Sequence, residues 1–288
     1  MEHHVRLGYV GRPPRHAALR VAAAVVGVGL VLIVLGVLAS SHPRSVSLHV
    51  ASGSHAQAPT AGVPPSPAVA PVSSAAPTSR VIGHSVQGRP IEVAFFGSGP
   101  RKLLVVGGVH GDEYGTAVAL EFADYLRTHP SAIAHGREID VVVCANPDGQ
   151  AARTRTNAHG VDLNRNFPSA NWSRTGAGRG ESAGAQPGSE PETRALVTLL
   201  ASRAYAAVVS LHSRGGLIDF DGPGGSSLAE RIAGVAGMRV LHLASLRTYS
   251  GSMGSFIPQS SGAPLVTWEL SDSHLTPAVR AGLLAAAR

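Results

Sequence analysis

His110 and Glu113, in the segment Gly107-Gly108-Val109-His110-Gly111-Asp112-Glu113, form an H-x-x-E pair at the end of an apolar run. A spacing of three lets an imidazole and a carboxylate converge from one turn onto one cation. Such N/O ligation suits Zn²⁺ in a catalytic site that keeps one position open. The competing reading is a surface turn whose carboxylate caps a helix. A third ligand is available in His212, which follows the buried-looking run Val208-Val209-Ser210-Leu211, and strand ends are where α/β sites gather. Glu269 lies inside the otherwise apolar segment Leu265–Leu270. Burying a carboxylate without a partner is costly; a cation, or a water polarised by one, would offset that cost and make Glu269 a general base. The chain of 288 residues has one cysteine, Cys144, which excludes a disulfide framework or a Cys-based zinc ribbon. Any metal must therefore use His and carboxylates.

The elements that position these residues read as one α/β domain from residue 80 to 288, in which short apolar runs alternate with amphipathic stretches. Strands are expected at Ile91–Phe96, Leu103–Val109, Ile139–Cys144, Ala206–Leu211, Arg239–Ala244 and Leu265–Leu270. Helices are expected at Tyr114–Thr128, Pro191–Arg203, Ser227–Ala236 and Pro277–Ala287. Pro191 and Pro277 suit first helical turns, and Glu190 and Glu192 complement the dipole of the helix they open. Residues Asn146 to Ser189 lack a clear period, and a loop of that length inside a compact domain is usually functional.

Taken with Asn146-Pro147-Asp148-Gly149 and Asp162-Leu163-Asn164-Arg165-Asn166-Phe167, these positions give a chain that resembles the M14 zinc carboxypeptidases. H-x-x-E, NPDG, D-x-NRNF, S-L-H-S, a Tyr before a Gly/Ser run, and W-E-L recur in the family's order over about residues 81–275. The resemblance implies a single zinc-carboxypeptidase-like domain with a central mixed β-sheet flanked by helices. It also implies one Zn²⁺ held by His110, Glu113 and His212, with Glu269 as the general base. Asn164 and Arg165 match the pair that grips a substrate's terminal carboxylate; a structural Arg165 pairing with Asp162 or Asp148 is the alternative. Tyr249 matches a substrate-binding tyrosine, with a partly buried loop aromatic as its alternative. The family's oxyanion-stabilising Arg falls at Ala152 by gap-free counting, which leaves Arg153 and Arg155. Arg155 is the expected catalytic group and Arg153 an expected substrate contact. Phe256 falls where the family sets its preference for the leaving residue, and supplies no charge. The wording Thr154-Arg155-Thr156-Asn157-Ala158-His159-Gly160 is most similar to the bacterial branch that cleaves γ-D-glutamyl-diaminopimelate bonds.

The formal charge of +6 sits at the N-terminus: residues 1–80 hold six Arg and one acid, whereas residues 81–288 hold 18 basic and 17 acidic residues. A nearly neutral domain removes the electrostatic argument for nucleic-acid binding. Val21–Ala39 is an uncharged apolar run of 19 residues, about 28 Å as a helix, and reads as a membrane span over residues 21–40. Arg6, Arg12, Arg15 and Arg20 keep residues 1–20 cytoplasmic and send the domain outside the membrane. A cleaved signal peptide, which would release a secreted enzyme, is the rival reading. Residues 41–79, rich in Ala, Ser and Pro with no aromatic and no acid, read as a disordered linker that could reach up to about 100 Å. The expected partner is a peptide, derived from the cell wall given this location. Alternatives are an ordinary C-terminal peptide, an N-acyl amino acid, or a fold that binds wall peptides without cleaving them. There is no HExxH and no phosphate loop, which removes thermolysin-like and nucleotide-binding readings.

Overall fold

The computed structural model describes residues 78–175, 182–243 and 249–288. The expected cytoplasmic segment, the membrane span and all but the end of the linker lie outside the described residues. Among those described, no helix is long and apolar enough to cross a membrane.

Eight strands, β1 (Thr78–His84), β2 (Pro90–Gly97), β3 (Arg101–Val106), β4 (Arg137–Val142), β5 (Ala207–Ser213), β6 (Leu217–Asp221), β7 (Arg239–Val240) and β8 (Leu265–Leu270), form one mixed sheet in the order β1-β2-β4-β3-β5-β8-β6-β7. The four central strands run parallel. They are apolar almost throughout because helices cover both faces. Side chains alternate between those faces. Leu103, Val105, Val209, Val266 and Trp268 pack with Phe122, Ile232 and Leu283, which belong to α1 (Gly115–Thr128), α4 (Gly225–Ala236) and α6 (Pro277–Ala286). Leu104, Val106, Val208 and Leu265 face the other way, towards α3 (Pro191–Ser202) and α5 (Met253–Ser261).

The four expected helices are all present within two residues of their expected starts. Three expectations need correction. The first strand begins at Thr78, inside the expected linker. It is an edge strand with an exposed burial pattern, so no hydrophobic alternation announces it. The run expected to extend to Val109 ends at Val106, because Gly107 and Gly108 turn the chain out of the sheet, Gly108 with φ +62°. The strand expected over Arg239–Ala244 is only Arg239–Val240. The sequence also hid β6, α5 and α2 (Pro147–Ala152).

The α2 helix shows how the NPDG motif works. Asn146 caps it, accepting the Gly149 N–H at 2.9 Å, while its own N–H donates to the Gly108 carbonyl at 2.8 Å. Asp148 accepts from the Ser85 hydroxyl at 2.8 Å and from the Gln87 N–H at 2.9 Å, and pairs with Arg89. The motif thus ties the β1–β2 hairpin to the turn that follows β3. The partner of Asp148 is Arg89 rather than Arg165.

Asp148→Ala strands these donors, so a loss of about 1–3 kcal/mol is expected in denaturant unfolding. Burial works against the Asp148 carboxylate, but its hydrogen bonds and Arg89 hold it below the usual aspartate value. A depressed folded pKa contributes stability above about pH 4 that is lost as pH falls through the folded value. The stability gap between wild type and Asp148→Ala should accordingly narrow on acidification.

Candidate metal centre and substrate cleft

The parallel strands β3, β5 and β8 end at one edge of the sheet, where open α/β sheets build their sites. His212 lies on β5 and pairs in register with Glu269 on β8. His110 and Glu113 come from the turn after β3. That turn packs on the start of α2 so closely that a Cβ on Gly111 would fall 1.9 Å from the carbonyl carbon of Gly149. No side chain fits at Gly111.

His110, Glu113 and His212 place one ligand atom each within 4.8 Å of one another. Glu113 spans the two imidazoles, with one oxygen 2.9 Å from His110 Nδ1 and the other 3.0 Å from His212 Nδ1. The two Nδ1 atoms are 3.1 Å apart. Bonds of about 2.0–2.1 Å in a tetrahedron would set ligand atoms about 3.3 Å apart. The far nitrogens are occupied: His110 Nε2 is 3.1 Å from Asp162 Oδ1, and His212 Nε2 is 3.0 Å from the Ser210 hydroxyl. If both Nε2–H groups donate, both Nδ1 lone pairs face the cluster centre, as metal-ligating histidines require. The helix-capping reading of Glu113 is not what the fold uses, since α1 has no side-chain cap.

The cluster calls for positive charge. Burial disfavours the His110 cation, yet its bonds to Asp162 and Glu113 outweigh that and lift His110 to about 9. Burial also pushes on Glu113 and Asp162, but the histidines hold the former well below the usual carboxylate range. His110, Arg155 and Arg165 do the same for the latter. A buried N/O donor set surrounded by anionic demand fits a divalent cation such as zinc.

These ligands lie in a cleft of about 540 Å³ that Arg155, Asn164, Arg165, Tyr249 and Glu269 also line. Arg155 Nε is 3.1 Å from Asp162 Oδ2, and its terminal nitrogen is 3.1 Å from Glu113 Oε1. Arg165 donates to the Asn164 carbonyl at 2.7 Å, and its guanidinium carbon lies 4.8 Å from the Tyr249 ring centre. The Asn164 side-chain oxygen accepts from the Met253 N–H at 2.9 Å, fixing this motif to the start of α5. Burial is the largest influence on Glu269 and raises its pKa, although the neighbouring His212 charge acts in the opposite sense.

Two expectations are corrected. Arg153 is exposed, closes α2 in the left-handed conformation (φ 54°) and is not among the cleft-lining residues. Phe256 is buried against Phe167, with ring centres 5.6 Å apart, so it belongs to the core beneath the cleft. Sequence reasoning offered Asp162 only as a pairing partner for Arg165, and it passed over Arg214, Asp219 and Asp221, all three of which line the cleft. The alternation in Leu217-Ile218-Asp219-Phe220-Asp221 carried a signal, because in a strand it puts both carboxylates on one face.

Residues 74–224 match the Zinc carboxypeptidase family, peptidase M14. Murein peptide amidase A of Escherichia coli K12 is 43% identical over 141 residues, covering 45% of this chain and 55% of that protein. The chain thus spans about half the length of this relative. Murein peptide amidase A of Vibrio campbellii is 33% identical over 208 residues, covering 67% of this chain and 79% of that protein. The crystal structure of murein-tripeptide amidase MpaA from E. coli O157 superposes with a TM-score of 0.58 at 31% identity, covering 72% of this chain and 91% of that one.

Replacing Asp162 with Asn keeps the volume but removes the charge behind His110. Zinc affinity, measured by competition with a chromophoric chelator, should fall about 10–100-fold. Ser210→Ala, which removes only a neutral partner of His212, should cost less.

Proposed function

Because the chain belongs to the M14 zinc carboxypeptidase family, we propose that it is a zinc-dependent amidase that hydrolyses the amide bond before a C-terminal residue, in peptides derived from peptidoglycan and at the γ-D-glutamyl-diaminopimelate bond. The observation that carries this reading is the convergence of three N/O ligand atoms beside Glu269, in a cleft also lined by Arg165. The substrate is carried by the likeness to the murein peptide amidases.

In this reading His110, Glu113 and His212 hold the zinc ion. When bound, zinc supplies a Lewis acid that polarises the carbonyl and lowers the pKa of water. Arg165, with Asn164 beside it, holds the substrate's terminal carboxylate, for which a two-pronged guanidinium is suited. Tyr249 covers that guanidinium. Glu269 accepts the proton of the attacking water on its carboxylate and returns it to the leaving amine. The raised pKa that burial confers brings its proton affinity closer to neutral pH, which favours both transfers. Arg155, next to the ligands, supplies positive charge for the developing oxyanion.

The reading extends to location. Residues 21–40 act as a single-pass anchor with residues 1–20 cytoplasmic, and residues 41–79 tether the catalytic domain outside the membrane, within reach of wall peptides. The full chain should sediment with membranes and resist extraction by high salt and alkaline carbonate, and protease added outside intact cells should remove the domain. Recovery of a shortened chain in the medium would establish a cleaved signal instead.

Full-length protein loaded with zinc and given L-Ala-γ-D-Glu-meso-diaminopimelate should release free diaminopimelate. Glu269→Gln should lower kcat by at least about 100-fold, the scale of general acid–base catalysis. Arg165→Ala should act chiefly on KM. Release by neither wild type nor variant, from this or from ordinary C-terminal peptides and acyl amino acids, would leave a binding module.

A further inference from the structure

We propose that the end of the domain opposite the cleft is a docking face for the phosphate headgroups of an anionic membrane, with Arg101, Arg137 and Arg231 gathered around one headgroup. This inference rests on the anchored reading of residues 21–40 above, and it gives the domain an orientation that an anchor alone does not supply.

The parallel strands β3, β4, β5 and β8 begin at the edge of the sheet remote from the metal ligands, about 20 Å away along a strand such as β3. At that edge lies a hollow of about 180 Å³ lined by Arg101 and Arg137, the first residues of β3 and β4, and by Arg231 of α4. Arg101 and Arg137 are direct neighbours in register, so their side chains leave the same face of the sheet from strands about 4.8 Å apart. Like charges so placed repel. Among the described residues, no hydrogen bond or ion pair engages either side chain.

Arg231 donates from Nε to the Ala285 carbonyl at 3.1 Å, a contact that fixes the side chain to α6 and leaves its charge unpaired. The acids on the surrounding elements are engaged elsewhere. Glu138 is shared by Lys102 and Arg203, Asp140 by Arg203 and Tyr205, and Glu230 accepts from the Ser226 hydroxyl. Strands β3 and β5 and helix α6 contain no acid. Helix α4 opens at the rim of the hollow, at Gly224, with no acidic residue in its first turn and no side-chain cap. Three guanidiniums thus face one hollow, and their planar forks suit phosphate oxygens.

The direction of the chain points to the source of the phosphate. Strand β1 runs antiparallel to β2, and β2 antiparallel to β4, so β1 points the same way as β3 and its first residue, Thr78, lies at the basic end. The chain therefore enters the domain at the end that carries the hollow, and the cleft opens at the other. Docking the basic end on a headgroup layer brings guanidiniums to phosphate and leaves the cleft facing away from the membrane, towards the wall. Each basic residue near an anionic surface is worth about fivefold in affinity, and salt screens the attraction. A wall polymer of glycerol phosphate offers the same phosphodiesters, but it gives no reason for the hollow to share the end at which the chain enters.

The test uses the zinc-loaded full chain reconstituted in nanodiscs of phosphatidylcholine, alone or mixed with phosphatidylglycerol. Hydrogen exchange is followed over residues 99–103 and 135–138 in wild type and in the double variant Arg101→Gln, Arg137→Gln, whose thermal unfolding checks the fold. In wild type, exchange there should be at least about fivefold slower in the anionic discs than in the neutral ones. The double variant and high salt should abolish that difference, while exchange over residues 249–255, beside the cleft, stays equal in both discs. Equal exchange of wild type in both discs, or slowing that the double variant retains, overturns the docking face while the anchor stands. Binding of soluble poly(glycerol phosphate) that the double variant loses, without slowing in anionic discs, overturns the membrane as partner in favour of a wall polymer. A chain that does not integrate into discs but floats with phosphatidylglycerol vesicles, and needs Arg101 and Arg137 to do so, keeps the docking face and removes the anchor. A chain that does neither overturns the two together.

Discussion

The carboxylate of Glu113 spans two buried imidazoles from opposite sides of the strand β3–β5 seam, 2.9 Å from one and 3.0 Å from the other, and the rest of the site is arranged around that bridge. Bringing two nitrogens and a carboxylate together in the interior is expensive unless a cation joins them and the outer atoms are satisfied. Asp162 and Ser210 satisfy the outer nitrogens, and the Ser213 N–H donates to Glu113 Oε2 at 3.2 Å. The same demand explains why Arg155 lies against Glu113 and Asp162.

That arrangement needs rigid support, and the fold supplies it through the central parallel strands. Their ends deliver His212 and Glu269 side by side by backbone register alone. The remaining ligands ride on a turn, and turns need bracing. Here the brace is the start of α2, held by Asn146 against the Gly107–Val109 backbone and anchored to the β1–β2 hairpin by Asp148. The loop of residues 146–189 is therefore a scaffold as much as a substrate surface. Within NRNF the labour divides: Asn164 and Arg165 line the cleft, whereas Asn166 ties the loop to Ala183 and Ser189, and Phe167 is buried beneath.

The cleft's polarity follows from which strand faces it. On β6 the alternation turns Asp219 and Asp221 into the cleft and Ile218 into the core. The residue that family likeness offered as the selector, Phe256, is turned inward by α5.

Much was legible in the sequence. A spacing of three marked His110 and Glu113 as candidate ligands, and family likeness joined His212 and Glu269 to them, because ligand chemistry is a property of the side chains themselves; the fold brings one ligand atom each of His110, Glu113 and His212 within 4.8 Å of one another. Helical periodicity placed four helices, since a buried stripe leaves its mark on local order. What the sequence left open depends on contacts made across long separations. The edge strand β1 carries no burial pattern to read, and α2 and α5 rest on caps rather than on periodicity. Which imidazole nitrogen faces the centre of the ligand cluster is decided by Asp162, 52 residues from His110, and by Ser210 beneath His212. Family likeness favoured Arg155 over Arg153, but the physical reason lies in the fold: Arg153, left-handed at the end of α2, is exposed, while Asp162 and Glu113 hold Arg155 in the cleft. Local sequence encodes side-chain chemistry and periodicity, whereas the direction each side chain points is set by packing and electrostatics that exist only once distant segments meet.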